Sequence, residues 1–66
     1  MQLTVNGEKQ QVPDGLSVGG LLAHLSVDRE KVAVEVDRQV VPKAQYEEKK
    51  LSSGAQVEIV QFVGGG

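Results

Sequence analysis

The chain has no cysteine and no tryptophan. Disulfides, thiolate nucleophiles and thiolate metal sites are therefore excluded outright. Its only aromatic residues are Tyr46 and Phe62, too few for a base-stacking platform. It also lacks a basic stripe. Lys9, Arg29, Lys31, Arg38, Lys43, Lys49 and Lys50 are interleaved with nine acidic residues, and the net charge is -2. Phosphate backbones are held by concentrated positive charge, so nucleic acid is not an expected partner. No apolar run approaches the ~20 residues of a membrane span, and no basic-then-apolar signal segment follows Met1. The expectation is a protein of the cytoplasm that does not engage a membrane. His24 is the only histidine, and no cluster of histidines and carboxylates suggests a metal.

What is present is the pattern of one small domain. Sixty-six residues, 39% of them hydrophobic and 24% charged, make a globular chain. A domain of this size buries only about 60% of its surface. Leu3 and Val5 alternate with Gln2 and Thr4, as in a half-buried strand. Asn6-Gly7 follows, a pair suited to the positive φ angles of a two-residue type I′ turn, and Glu8 to Val12 returns as a second strand. Pro13-Asp14-Gly15 breaks the pattern. Ser17 is placed to cap a helix, with Leu16 and Leu21 spaced as a hydrophobic staple. Val18, Leu21, Leu22 and Leu25 lie on one helical face. Gly19 and Gly20 each cost that helix up to about 1 kcal/mol against alanine. Close packing of the helix on a sheet is the expected compensation.

Ser26 to Glu30 reads as a loop. Val32, Val34 and Val36 alternate with Ala33, Glu35 and Asp37 in a third strand. A turn near Asp37-Arg38 leads to the short strand Gln39-Val40-Val41, which Pro42 ends. A helical turn is expected within Ala44 to Lys50, with Tyr46 inward, then a turn at Ser52-Ser53-Gly54. Val57 to Val63 forms the last strand. One amphipathic helix and one apolar-faced sheet bury each other, so the class is α+β in two layers. The order is that of a β-grasp (ubiquitin-like) domain, a mixed sheet of four to five strands packed on one main helix. Residues 1–63 form the domain, and 64–66 form a flexible glycine tail.

No catalytic constellation accompanies this pattern. His24 falls off the apolar helix face and reads as a solvated side chain rather than a general base. Ser17, Ser26, Ser52 and Ser53 sit at caps and turns, with no Gly-x-Ser-x-Gly elbow. Gly15 to Gly20 has the glycine spacing of a phosphate loop, but Leu21 and Leu22 stand where the lysine and hydroxyl residue belong. Glu47-Glu48 beside Lys49-Lys50 reads as a solvated surface run. The chain is expected not to be an enzyme by itself.

The end of the sequence carries the functional signal. Phe62-Val63 runs directly into Gly64-Gly65-Gly66 and a free α-carboxylate. Glycine has no Cβ, so such an arm can enter a channel that side chains would block, and three residues reach roughly 10 Å. Taken alone, the same tail also reads as a frayed terminus. The last strand adds a second clue. With Val57 and Ile59 facing the core, alternation puts Glu58, Val60 and Phe62 on the opposite side. Val60 and Phe62 would then be exposed apolar groups leading to the tail, a candidate docking surface.

With Asn6-Gly7 in the first hairpin, Val40-Val41-Pro42 in the middle and Val57-Glu-Ile-Val-Gln-Phe-Val-Gly-Gly-Gly66 at the end, the chain resembles the sulfur carriers of thiamine biosynthesis. The resemblance covers the whole chain. The glycine ending is shared by all ubiquitin-like carriers; the Ile-Val-x-Phe-Val run before it, in so short a chain, is more specific. Asp37-Arg38 departs from the Asn-Gly-like turn of many relatives. The resemblance implies a β-grasp carrier whose terminal Gly66 becomes a thiocarboxylate, with Gly64 and Gly65 giving access; the docking role of Val60 and Phe62 rests on the strand alternation alone. The resemblance also implies three partners: an adenylating enzyme that uses ATP, a sulfur-donating protein and thiazole synthase. No cofactor is expected on the carrier itself. The small subunit of molybdopterin synthase, a ubiquitin-like modifier and a plain binding module remain as other readings of these residues.

Overall fold

The computed structural model describes residues 1–62. Val63 and the tail residues Gly64, Gly65 and Gly66 lie outside the described residues. Strand β1 (Gln2–Val5) and β2 (Glu8–Gln11) form the first hairpin, in which Val5 pairs with Glu8. The turn between them is Asn6 (φ 50) and Gly7 (φ 82), both left-handed as a type I′ turn requires. Helix α1 (Val18–His24) follows, and the Ser17 hydroxyl accepts from the Gly20 N–H at 3.0 Å. Strands β3 (Val32–Val36) and β4 (Gln39–Val41) form a second hairpin around Asp37 (φ 50) and Arg38 (φ 71). Strand β5 (Gln56–Gln61) closes the domain.

The five strands form one sheet in the order β2-β1-β5-β3-β4. β5 is therefore central. It runs parallel to β1 and antiparallel to β3, so the sheet is mixed, as expected of a β-grasp domain. One face of the sheet packs on α1. Val18, Leu21 and Leu22 from the helix join Leu3, Val5, Val32, Val34, Val36 and Val57 from the strands in one buried core. Each such aliphatic side chain contributes about 1.5–3 kcal/mol of burial free energy. Tyr46 is also buried, and its hydroxyl donates to the Val32 carbonyl at 3.5 Å. At the other edge the Met1 ammonium donates to the Val12 carbonyl and lies 2.6 Å from Asp14. The hydrogen bond from that ammonium, with its charge, holds the Asp14 carboxyl below the usual carboxylate range.

Four local expectations need correction. A 3₁₀ turn (Arg29–Lys31) begins inside the segment read as a loop, because the Asp28 carboxylate accepts from the Glu30 N–H at 2.9 Å and starts it. The helical turn near Tyr46 begins earlier than expected, as a 3₁₀ turn at Lys43–Gln45 directly after Pro42. Glu47 is not simply part of a solvated run, since its carboxylate pairs with the Arg29 guanidinium. That pair also corrects the reading of Gly19. A Cβ there would lie 2.6 Å from Glu47 Oε1 and 2.7 Å from Arg29 Nη2. The glycine makes room for an ion pair over the helix, not for the sheet.

Candidate functional site

The candidate site is the outer face of β5 and the residues from which the tail departs. Alternation along β5 places Val57 in the core and packs Ile59 against it. The intervening side chains point away: Glu58 is exposed, Val60 is 57% exposed and Phe62 58%. Both residues expected to dock a partner therefore stand on the solvent side, at the C-terminal end of the central strand.

Phe62 lies one residue beyond β5 but is still tied to the sheet. Its N–H donates to the Lys31 carbonyl at 2.9 Å. The Lys43 ammonium sits 6.0 Å from the centre of the Phe62 ring, while also donating to the Glu30 carbonyl at 3.1 Å. At such an exposed position a cation facing an aromatic ring contributes about 0.5–1 kcal/mol. Lys43 thus supports the ring from a segment that the sequence did not connect with it.

The same face carries a third exposed apolar residue that the sequence reading passed over. Val40 is 70% exposed, on β4 directly opposite Glu35. The signal was available, because Val41 faces the core and alternation then turns Val40 outward. Between Val40 and Val60 lies charge: Glu35 on β3 faces Glu58 on β5, and two positions further along Ala33 faces Val60. The outer face thus combines Val40, Val60 and Phe62 with two carboxylates.

β5 is fixed more firmly than strand pairing alone would make it. The Asn6 side chain binds both backbone groups of Ile59, accepting from its N–H at 2.7 Å and donating to its carbonyl at 3.2 Å. Near its other end, the Asp37 carboxylate accepts from the Gln56 N–H at 3.0 Å.

Elsewhere the described residues offer little for chemistry. An open cavity of about 350 Å³ is lined by Ser26, Val27, Asp28, Lys31, Val32 and Gln61. No group of three or more histidine, cysteine, aspartate or glutamate side chains comes together among the described residues. No helix among them is long and apolar enough to cross a membrane. His24 is exposed in the last turn of α1, as expected from its place off the apolar face.

Comparison with known proteins places this geometry. The ThiS family matches residues 1–66. The crystal structure of a thiamine biosynthesis protein (ThiS) from Geobacter metallireducens superposes with a TM-score of 0.87 at 36% identity, covering 100% of both chains. The chain is also 42% identical over 66 residues to a thiazole synthase of Paramagnetospirillum magneticum and 39% identical to one of Magnetococcus marinus. It spans only 20% of the length of each of those proteins. Matched over its whole length and built on the same mixed sheet and single helix, the chain belongs to the ThiS family, the ubiquitin-like sulfur carriers of thiamine biosynthesis.

Proposed function

We propose that this chain carries sulfur as a thiocarboxylate on Gly66 and donates it to the formation of a thiazole ring. The observation that carries this reading is the full-length match to ThiS, in sequence and in fold. An α-carboxyl group has a pKa of about 3.5, so near neutral pH it is an anion and a poor electrophile. An adenylating partner overcomes this: the carboxylate oxygen attacks the α-phosphorus of ATP, and pyrophosphate leaves. Hydrosulfide released by a donor protein then attacks the acyl carbon, the C–O bond to AMP breaks and AMP leaves, and loss of the S–H proton gives the thiocarboxylate. Gly66 supplies the reacting carbon, while Gly65 and Gly64 let it reach a partner's active site without a side chain in the way. Val60 and Phe62, exposed beside the start of the tail, are the surface that partners grip.

In this scheme the carrier supplies recognition and reach, and its partners supply the catalysis. It needs no cofactor of its own and acts in the cytoplasm. Two thiazole synthases contain a segment similar to the whole of this chain, which supports delivery of the sulfur to that activity. Within one chain such a pair meets at the high effective concentration of linked modules. The test is rescue of growth without thiamine in a bacterium whose own sulfur carrier is deleted. This chain should restore growth, and a version lacking Gly65 and Gly66 should not. Equal rescue by both would overturn the reading.

A further inference from the structure

Asn6 is placed to do more than turn a hairpin. β1 ends at Val5, and the last backbone hydrogen bond from that side to β5 runs from the Asn6 N–H to the Val57 carbonyl at 2.8 Å. Beyond Val57, β5 has a strand beside it only on the β3 side. The Asn6 side chain takes the place of the missing strand. A carboxamide offers an acceptor and a donor, and here both are used on one residue, the N–H and the carbonyl of Ile59. The first residue of the second hairpin turn grips the same strand at its other end. Asp37 accepts from the Gln56 N–H through its carboxylate and donates its own N–H to the Gln56 carbonyl at 2.7 Å.

Each turn thus holds one end of β5, but the ends are not equivalent. Gln56 is the end remote from the tail. Ile59 immediately precedes Val60, Gln61 and Phe62, and among the described residues no strand continues beside them on the β1 side. A strand held on one edge only is free to twist and to open locally.

We infer that Asn6 is a positioning residue for the transfer reaction: its side chain sets the direction in which β5 presents Val60 and Phe62 to a partner enzyme. The inference rests on the carrier reading above. It separates two properties of one side chain, because a turn needs only a left-handed backbone at position 6, whereas the grip on Ile59 needs the carboxamide. Glycine adopts the φ of 50 at this position without steric cost, so Asn6→Gly keeps the turn and removes the grip. Asn6→Asp keeps the acceptor for the Ile59 N–H and loses the donor. Asp37→Gly removes the grip at the far end and serves as the control.

The experiment measures three quantities for the full chain and these variants. They are hydrogen exchange at the Ile59 amide, thermal stability, and kcat and KM for the carrier in the reaction of the adenylating enzyme with ATP. Asn6→Gly is expected to speed exchange at Ile59 and raise KM several-fold with kcat unchanged, as loss of a binding geometry does. Asn6→Asp should fall between it and the parent. Asp37→Gly should leave KM within about twofold, even where its melting temperature falls as much. An unchanged KM for Asn6→Gly, or an equal rise for Asp37→Gly, would overturn the role given to Asn6. A parent chain that the enzyme does not adenylate would overturn the carrier reading, and the role of Asn6 with it.

Discussion

Glu35 and Glu58 stand directly opposite each other on the outer face of the sheet, one on β3 and one on β5. Neither takes part in an ion pair among the described residues. Like charges in direct cross-strand opposition destabilise a sheet, at an exposed position by some tenths of a kcal/mol. Glu58→Gln is therefore expected to raise stability by about 0.3–0.5 kcal/mol in low salt. The gain should shrink as added salt screens the pair. Denaturant unfolding at two salt concentrations checks both points, and a loss of stability would show that Glu58 contributes something beyond its charge.

Gly19 yields a prediction that depends on its neighbours. In an ordinary helix glycine to alanine gains up to about 1 kcal/mol. Here the new methyl group would displace the Arg29–Glu47 pair, an exposed interaction worth about 0.2–1 kcal/mol. Gly19→Ala should accordingly change stability little in the parent, yet stabilise a Glu47→Ala background by most of the helix gain. A double-mutant cycle measures this coupling directly. Additive effects would mean that the ion pair moves aside without loss.

The core and the tail should respond oppositely to change. Leu22 is 1% exposed within the core. Leu22→Ala is expected to cost about 2–5 kcal/mol. Removal of Gly65 and Gly66 should leave the melting temperature nearly unchanged, because glycine has no side chain to bury and the core among the described residues runs from Leu3 to Val57. Thermal unfolding of the two variants side by side checks this.

The proposed docking role of Phe62 makes a further prediction. Phe62 is exposed, one residue past the end of the central strand β5 and beside Lys43. Phe62→Asp should leave the far-UV spectrum intact, since the ring is not part of the core. It should weaken binding to the adenylating enzyme by about 30-fold or more, the effect of losing an aromatic hot spot worth 2 kcal/mol. Titration of the enzyme with parent and variant carriers measures the difference. Equal affinities would remove Phe62 from the interface.

Much of this was legible in the chain. Asn6-Gly7 dictated a left-handed turn, Ser17 a helix cap, and the alternation of Val32, Val34 and Val36 a half-buried strand; each is a local signal that tertiary structure did not override. Alternation through Val57 and Ile59 likewise placed Val60 and Phe62 outside. What was missed around Gly19 and β5 is non-local. Arg29 and Glu47 are 18 positions apart, and Asn6 and Ile59 are 53 apart. No periodicity links such residues, so neither the reason for Gly19 nor the grip of Asn6 on β5 could be read from spacing. Val40 is a different case. Its neighbour Val41 faces the core, so alternation alone already implies the outward position of Val40.

The central claim is that the C-terminal carboxylate becomes a thiocarboxylate, and intact-mass spectrometry tests it most directly. The chain would be incubated with its adenylating enzyme, ATP and a protein sulfur donor, then weighed whole and after digestion. The account predicts a mass increase equal to the replacement of one oxygen by sulfur, confined to the fragment that ends at Gly66 and absent without ATP. An unchanged mass under conditions that consume ATP, or the chain found joined through Gly66 to lysine side chains with no thiocarboxylate at any stage, would contradict it.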